Sequence, residues 1–311
     1  MRKFLFIFLK FIFPFLLLLA GIELYVTYYP STFNKKSSYL KNNLSEIQTV
    51  IFGSSHNQNS LNPEYLQPYT ANLANSGQDV QIDSALFFKY IAKLKSIKKI
   101  ILEIDYLTLE EKNDSSYFRI PWYYRFYNIE LYPVSYLNKI SLYSSSPAFF
   151  NKVMIDEIDP RKIKYKYNQY GFIINDFPGI MEDLKYDSLQ LAITAPQRLK
   201  GKHTQISYEI FVLNRSKLNS IINYCLSHKI SVVLISNPMY TTYLNSEIAE
   251  KKARKKEYTD SLISIPGVNY FDYENSSRFN VHDFKNDDHL NSNGAKKFSI
   301  IIDSALKRIS S

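Results

Sequence analysis

Two short clusters in this chain hold the residue types that acyl chemistry requires. The first is Gly53-Ser54-Ser55-His56, directly after the run Thr49-Val50-Ile51-Phe52. A serine hydroxyl becomes nucleophilic when a nearby base takes its proton. Backbone N–H groups aimed at the developing oxyanion then stabilise the addition step. A glycine-opened turn between a strand and a helix offers both exposure and uncommitted N–H groups. The second cluster is Asn286-Asp287-Asp288-His289-Leu290-Asn291. A carboxylate two residues before a histidine, as Asp287 is before His289, can orient the imidazole and favour its charged form. Each cluster alone says little, since small polar residues fill ordinary turns and loop histidines are often structural. Together they make Ser55, Asp287 and His289 candidates to be brought to one place by the fold.

These residues need a scaffold that brings distant stretches to one rim. Thr49–Phe52 reads as a buried strand, Asn72 to Gly77 as a second short strand and loop, and Ile100–Asp105 as a third. Asp83 is placed to cap a helix carrying Leu86, Phe87, Tyr90, Ile91 and Leu94 on one face. Leu213–Leu226 reads as a helix, Ile230–Ile235 as an apolar strand and Val268–Phe271 as the last strand. A terminal helix follows, capped by Asn291 or Ser292, with Ala295, Phe298, Ile301, Ile302, Ala305 and Ile309 on one face. Apolar strands alternating with amphipathic helices predict an α/β fold with a parallel sheet covered on both faces. Sites in such sheets form at the carboxyl ends of strands, where Ser55 falls. Residues 110 to 205 break the alternation and are rich in Tyr and Phe. They read as a helical insertion whose aromatics mostly fill core, with Trp122 and Tyr123 as candidates to line a substrate groove.

With these blocks in order, the chain resembles the SGNH (GDSL-like) hydrolase superfamily. Ile51-Phe52-Gly53-Ser54-Ser55-His56 is similar to its first block and Asn72-Leu73-Ala74-Asn75-Ser76-Gly77-Gln78-Asp79 to its second. Asp287-Asp288-His289-Leu290-Asn291-Ser292-Asn293-Gly294-Ala295 is similar to its last. The likeness covers residues 48 to 106 and 230 to 309. It looks nearest to membrane-anchored cell-envelope members of the alginate O-acetyltransferase type and the DltD type. The resemblance implies a three-layer, flavodoxin-like domain over 47–311 with the insertion at about 110–205. It implies Ser55 as nucleophile, His289 as general base and then acid, Asp287 as its orienting group, and the N–H groups of Ser55 and Gly77 as the oxyanion hole. Many superfamily members place an Asn after the third strand as a further oxyanion donor. Here that position reads Glu103-Ile104-Asp105-Tyr106, which leaves Tyr106 or a backbone N–H as the substitute. Many also carry Asp three residues before the His, where this chain has Asn286. His56 is either a substrate contact or a turn residue.

The remaining candidates are less informative. His203 and His228 read as surface residues. His282, Asp283, Asp287 and His289 match no standard ligand spacing, so neither a metal nor a cofactor is expected. The single Cys225 sits in an apolar helical stretch and reads as a small buried hydrophobe.

The chain has 311 residues, 45% of them apolar, and a formal charge of +9. Its lysines are scattered, which argues for a solvated basic surface rather than a nucleic-acid interface. Residues 1–29 read as an uncleaved transmembrane signal anchor. The apolar stretch Phe4–Ile22 would reach about 28 Å as a helix, near the hydrocarbon thickness. Arg2 and Lys3 precede it, and Tyr25, Tyr28 and Tyr29 suit an interface belt. Residues 30–46 read as a polar linker. The expected setting is therefore the bacterial inner membrane, with the main domain outside the cytoplasm. The expected function is a serine acyl-esterase or O-acyltransferase on acyl groups, such as acetyl, of a cell-envelope polysaccharide. A transferase would need a multi-pass membrane acyltransferase as donor. The competing reading is a catalytically inactive scaffold or glycan-binding protein in polysaccharide assembly.

Overall fold

The short apolar runs form five strands, the first four buried and the last, at one edge of the sheet, only partly so. They are β1 (Thr49–Ile51), β2 (Thr70–Asn72), β3 (Lys99–Glu103), β4 (Ser231–Ser236) and β5 (Val268–Asp272). A computed structural model describes residues 1–309 apart from Phe177, Lys202 and residues 204–206. The strands make one parallel sheet in the order β2-β1-β3-β4-β5. Alternation along the strands divides the core in two. Val50, Ile100, Leu102, Val232 and Leu234 pack with Leu86 and Phe87 of the helix Val80–Tyr90 and with Leu218 and Ile222 of the helix Tyr208–Ser227. Ile51, Ile101, Val233 and Ile235 face the other way, onto Phe298, Ile302 and Leu306 of the terminal helix Ser292–Arg308.

The aromatic stretch between β3 and β4 is helical in its main pieces, including Ile120–Tyr127, Pro147–Ile158 and Ser188–Leu199. Most of its rings near residue 122 are core, as expected. Phe33 meets Trp122 and Tyr123 edge-on at 5.2 and 5.0 Å between centroids. Edge-to-face packing of this kind adds to simple area burial.

Three local expectations change. Residues 30–46 are not a free linker: Thr32–Asn42 is a helix, capped by Ser31 and buried through Phe33, Lys36, Ser37 and Leu40. The helix at 80–90 is capped by Asp79, whose carboxylate accepts the Ile82 N–H at 2.9 Å. Asp83 lies one turn further on. It turns inward to accept the Gly53 N–H at 3.1 Å and the Gln78 amide at 2.6 Å, so it supports the serine turn instead. His203 is buried rather than on the surface, with Nδ1 at the Tyr106 hydroxyl and its ring against Tyr243.

The helix Arg2–Tyr28 is long and apolar enough to cross a membrane. Its last turns are docked on the domain. The Glu23 carboxylate accepts the N–H groups of Leu142 and Tyr143 at 2.7 and 3.1 Å and the Ser141 hydroxyl at 2.9 Å.

Lys36 is the outlier of the helix Thr32–Asn42. Its Nζ donates to the Ala74 carbonyl at 2.5 Å, and burial lowers its pKa from 10.5 to about 7. Between those two values the unfolded chain holds the proton and the folded chain does not, so this group's contribution to stability rises with pH across that window. Below it the cost of burying the ammonium is felt in full. Urea melts of wild type and Lys36→Met at several pH values should show the variant lacking that rise. Its advantage over wild type should be largest near neutral pH and shrink toward pH 10.

Candidate active site

The serine cluster is shaped from beneath by one buried carboxylate. Glu103, the last residue of β3, accepts the Ser54 N–H at 2.9 Å, the Ser54 hydroxyl at 2.5 Å and the Asn57 N–H at 3.1 Å. Gly53 makes this approach possible. Its φ is +137°, and a Cβ there would lie 2.5 Å from the Glu103 carboxylate. The turn delivers Ser55 as the first residue of the short helix Ser55–Ser60, capped by Ser54. First-turn N–H groups have no intrahelical acceptor, which leaves the Ser55 N–H available to an oxyanion. The chain leaves β1 toward β2 on one side and returns to β3 on the other, so this turn sits at the topological switch point of the sheet.

The histidine comes from the far end of the chain. Strands β6 (Phe284–Asn286) and β7 (His289–Leu290) form a small antiparallel hairpin leading into the terminal helix. Asn286 holds its turn, its side-chain oxygen accepting the N–H groups of Asp288 and His289 at 3.2 and 2.8 Å. His289 Nε2 lies 2.8 Å from Ser55 Oγ across 234 positions of sequence. Its Nδ1 is 3.0 Å from Asp288 Oδ1 and 3.1 Å from the Asn286 oxygen. With the ring proton on Nδ1, Nε2 is the acceptor for the serine proton.

The orienting acid is therefore Asp288, not Asp287. Adjacent side chains in this turn diverge. Asp287 points to Arg198, whose Nη2 donates to it at 2.7 Å, and to the Thr242 hydroxyl. Asp288 points to the imidazole. Burial works against its ionised form, but His289 and His56 together hold its carboxyl well below the usual range.

His56 is a second correction. It was a candidate substrate contact, yet it is buried among carboxylates. Its Nδ1 is 3.5 Å from Glu103 and 4.0 Å from Asp105, and its Nε2 is 3.6 Å from Asp288. Burial disfavours the cation, but Asp288, Glu103 and Asp105 outweigh it and raise the imidazole well above its ordinary pKa. The line Ser55–His289–Asp288–His56–Glu103 thus alternates acid and base from the surface inward.

The other nominated residues separate. The loop after β2 turns at Gly77 with φ +71°, and its Ser76 borders a cleft that His289 also lines. The Tyr106 hydroxyl is committed to His203, which removes it as the substitute oxyanion donor. Tyr123 is core, its hydroxyl donating to Gln78 at 2.8 Å, whereas Trp122 lines a cavity. His282 packs at 4.4 Å between ring centroids, tilted, against Tyr186, and Asp283 pairs with Lys297 at 2.8 Å, so neither joins His289. A different trio, His56, Asp288 and His289, offers ligand atoms within 4.8 Å of one another. Those groups are already paired with one another in the proton chain.

Sequence reasoning passed over Gln58. It stands one turn after Ser55 and borders a cleft of about 250 Å³ shared with Ser76, Asn286 and His289. Its side-chain oxygen accepts the Ser76 N–H at 2.5 Å and the Ser76 hydroxyl at 3.2 Å. An i,i+3 spacing from the serine puts both on one helix face, which is the signal that could have found it.

No protein-family model matches this chain, and no curated protein does.

The two neighbouring aspartates should differ in labelling on substitution. Asp288→Asn should slow covalent labelling of Ser55 by a fluorophosphonate by about 10³–10⁴-fold, the scale seen when a triad acid is neutralised, and should also lower the thermal midpoint because it leaves the buried His56 with one counter-charge fewer. Asp287→Asn should lower the thermal midpoint by breaking a buried ion pair, worth about 3 kcal/mol or more, while folded protein still labels. Labelling rates and thermal melts on the same samples check both. The reverse pattern of labelling would restore Asp287 as the orienting group.

Proposed function

We propose that this chain is a membrane-anchored, SGNH-like serine acyl-esterase or O-acyltransferase, acting on acyl groups of a cell-envelope polysaccharide. The observation that carries the reading is the 2.8 Å contact between Ser55 Oγ and His289 Nε2, backed by Asp288 at 3.0 Å. The strand order β2-β1-β3-β4-β5 is that of flavodoxin-like sheets, in keeping with a three-layer domain of this superfamily. The helix Arg2–Tyr28 serves as the anchor, with the main domain outside the cytoplasm at a bacterial inner membrane. A multi-pass membrane acyltransferase is the fitting donor for the transferase variant.

The chemistry runs in two displacements. Ser55 Oγ bonds to the acyl carbonyl carbon as its proton moves to His289 Nε2, and the carbonyl electrons move onto oxygen. Asp288 stabilises the imidazolium by charge and by the Nδ1 hydrogen bond. The Ser55 N–H faces the oxyanion. Gln58 supplies the side-chain amide that the chain lacks after β3, because its oxygen is pinned by Ser76 and its NH₂ is left for the cleft. The carbon–oxygen bond to the leaving alcohol breaks, and His289 returns the proton to that oxygen. Water or a sugar hydroxyl then attacks the acyl-serine, losing its proton to His289 and regenerating Ser55.

An enzyme of this kind labels with a fluorophosphonate. The full chain in detergent should be modified once, and Ser55→Ala or His289→Ala should abolish labelling. Gln58→Leu should reduce ester turnover by about 10²-fold, the scale of a lost oxyanion donor. A folded wild-type chain that never labels, with Ser55→Ala retaining full function in cells, would support the scaffold reading instead.

A further inference from the structure

Beside the catalytic cleft lies a second cavity, also about 250 Å³. It is walled by Val26 at the end of the apolar helix and by Trp122, Phe126, Phe149, Phe150 and Val153 of the aromatic insertion. The two cavities adjoin, sharing Gln58, Ser76, Tyr165 and Ile173 as lining residues. Most of the charged groups on the second cavity's wall are engaged with the protein, Asp156 with Lys152 among them, while the Arg119 Nε is buried without a partner. Glu157 accepts the Tyr29 hydroxyl at 2.7 Å and pairs with Lys164 at 3.6 Å, and Arg119 donates to the Ser76 carbonyl. The rings also pack on one another, with Trp122 at 5.3 Å from both Phe149 and Phe150. A sugar would need several polar partners in such a space, and a hydrocarbon needs none.

We propose that this chamber binds the aliphatic chain of a lipid-type substrate, whose acyl ester then lies over Ser55. Its position beside the nucleophile rests on the esterase or acyltransferase reading above. Its location fits the ligand: Val26 and Tyr29 stand where the apolar helix emerges, so a chain leaving the bilayer along that helix meets the chamber first. The chain has two possible origins, the acyl group itself or the lipid tail of a carried acceptor or donor. Both present the same hydrocarbon to the same wall.

The test uses the full chain in nanodiscs with a long-chain alkyl diazirine probe, with cross-linked peptides mapped by mass spectrometry. The chamber predicts labelling of the peptides carrying Trp122 and Phe149 to Val153, in wild type and equally in Ser55→Ala, since cross-linking needs no catalysis. Filling the space with Val153→Trp should reduce that labelling at least fivefold. Ile163→Trp, on a loop of the same lining, serves if the first variant does not fold. In parallel, kcat/KM is measured for p-nitrophenyl acetate, octanoate and dodecanoate. A rise of at least about tenfold with chain length, lost in the filled variant, assigns the chain to the acyl group; burial of a few methylenes is enough for such a factor. A flat series with a labelled chamber assigns it to the carrier tail. Labelling confined to residues 2–28, labelling unchanged by both filling variants, or competition by soluble oligosaccharide but not by a fatty alcohol would overturn the proposal. Absence of any ester turnover with a labelled chamber would count against the catalytic reading and leave the hydrocarbon site standing.

Discussion

The buried Glu103 carboxylate is the constraint on which the site depends. It gathers two backbone N–H groups and one hydroxyl from the turn after β1, and so dictates where Ser55 emerges. A carboxylate this deep is costly unless paired and fully hydrogen-bonded. The His56 cation, 3.5 Å away, provides the balancing charge. Burial opposes ionisation of Glu103, and the hydrogen bond and charge of His56 prevail, lowering its pKa. His56 in turn reaches Asp288, so the support of the serine turn and the support of the His289 imidazole are one electrostatic unit. Substitution at Glu103 or His56 therefore bears on both the shape of the turn and the charge behind His289.

That unit also accounts for the departure at the end of β3. Where the resemblance to SGNH hydrolases would place an oxyanion Asn in the loop after this strand, the chain has a structural anion in the strand's last residue, Glu103. On the proposed reading the donor is Gln58, in the short helix that begins at Ser55, braced by Ser76. The polar braces around it are continuous. Asn57 donates to the Phe52 carbonyl at 2.7 Å and accepts from Asn237 at 2.8 Å, tying the ends of β1 and β4. Asn72 closes the same region from β2, donating to the Asn57 and Leu61 carbonyls.

Much of this was legible in the residues. Apolar runs marked the strands, and Gly53-Ser54-Ser55 and His289 marked the two halves of the site, because glycine, serine and histidine at strand ends have few other uses in combination. What escaped depended on direction. Two adjacent aspartates precede His289, and only Arg198 and Thr242, distant in sequence, decide that Asp287 turns away. His56 and Glu103 look like a turn residue and an ordinary strand-end acid until the sheet brings them together. The helix Thr32–Asn42 was hidden by its polar composition, although Phe33, Ser37 and Leu40 repeat at helical spacing. Its burial comes from packing on the aromatic insertion, which no local pattern announces.

The claim at the centre is that Ser55, activated by His289 and Asp288, carries the acyl group. Peptide mass spectrometry of the full chain, acid-quenched while it consumes a chromogenic acyl ester, tests it most directly. The account predicts one added acyl group on the peptide that contains Ser55, and none after Ser55→Ala. Ester consumption with the acyl group on another residue, or undiminished in the Ser55→Ala chain, would contradict it.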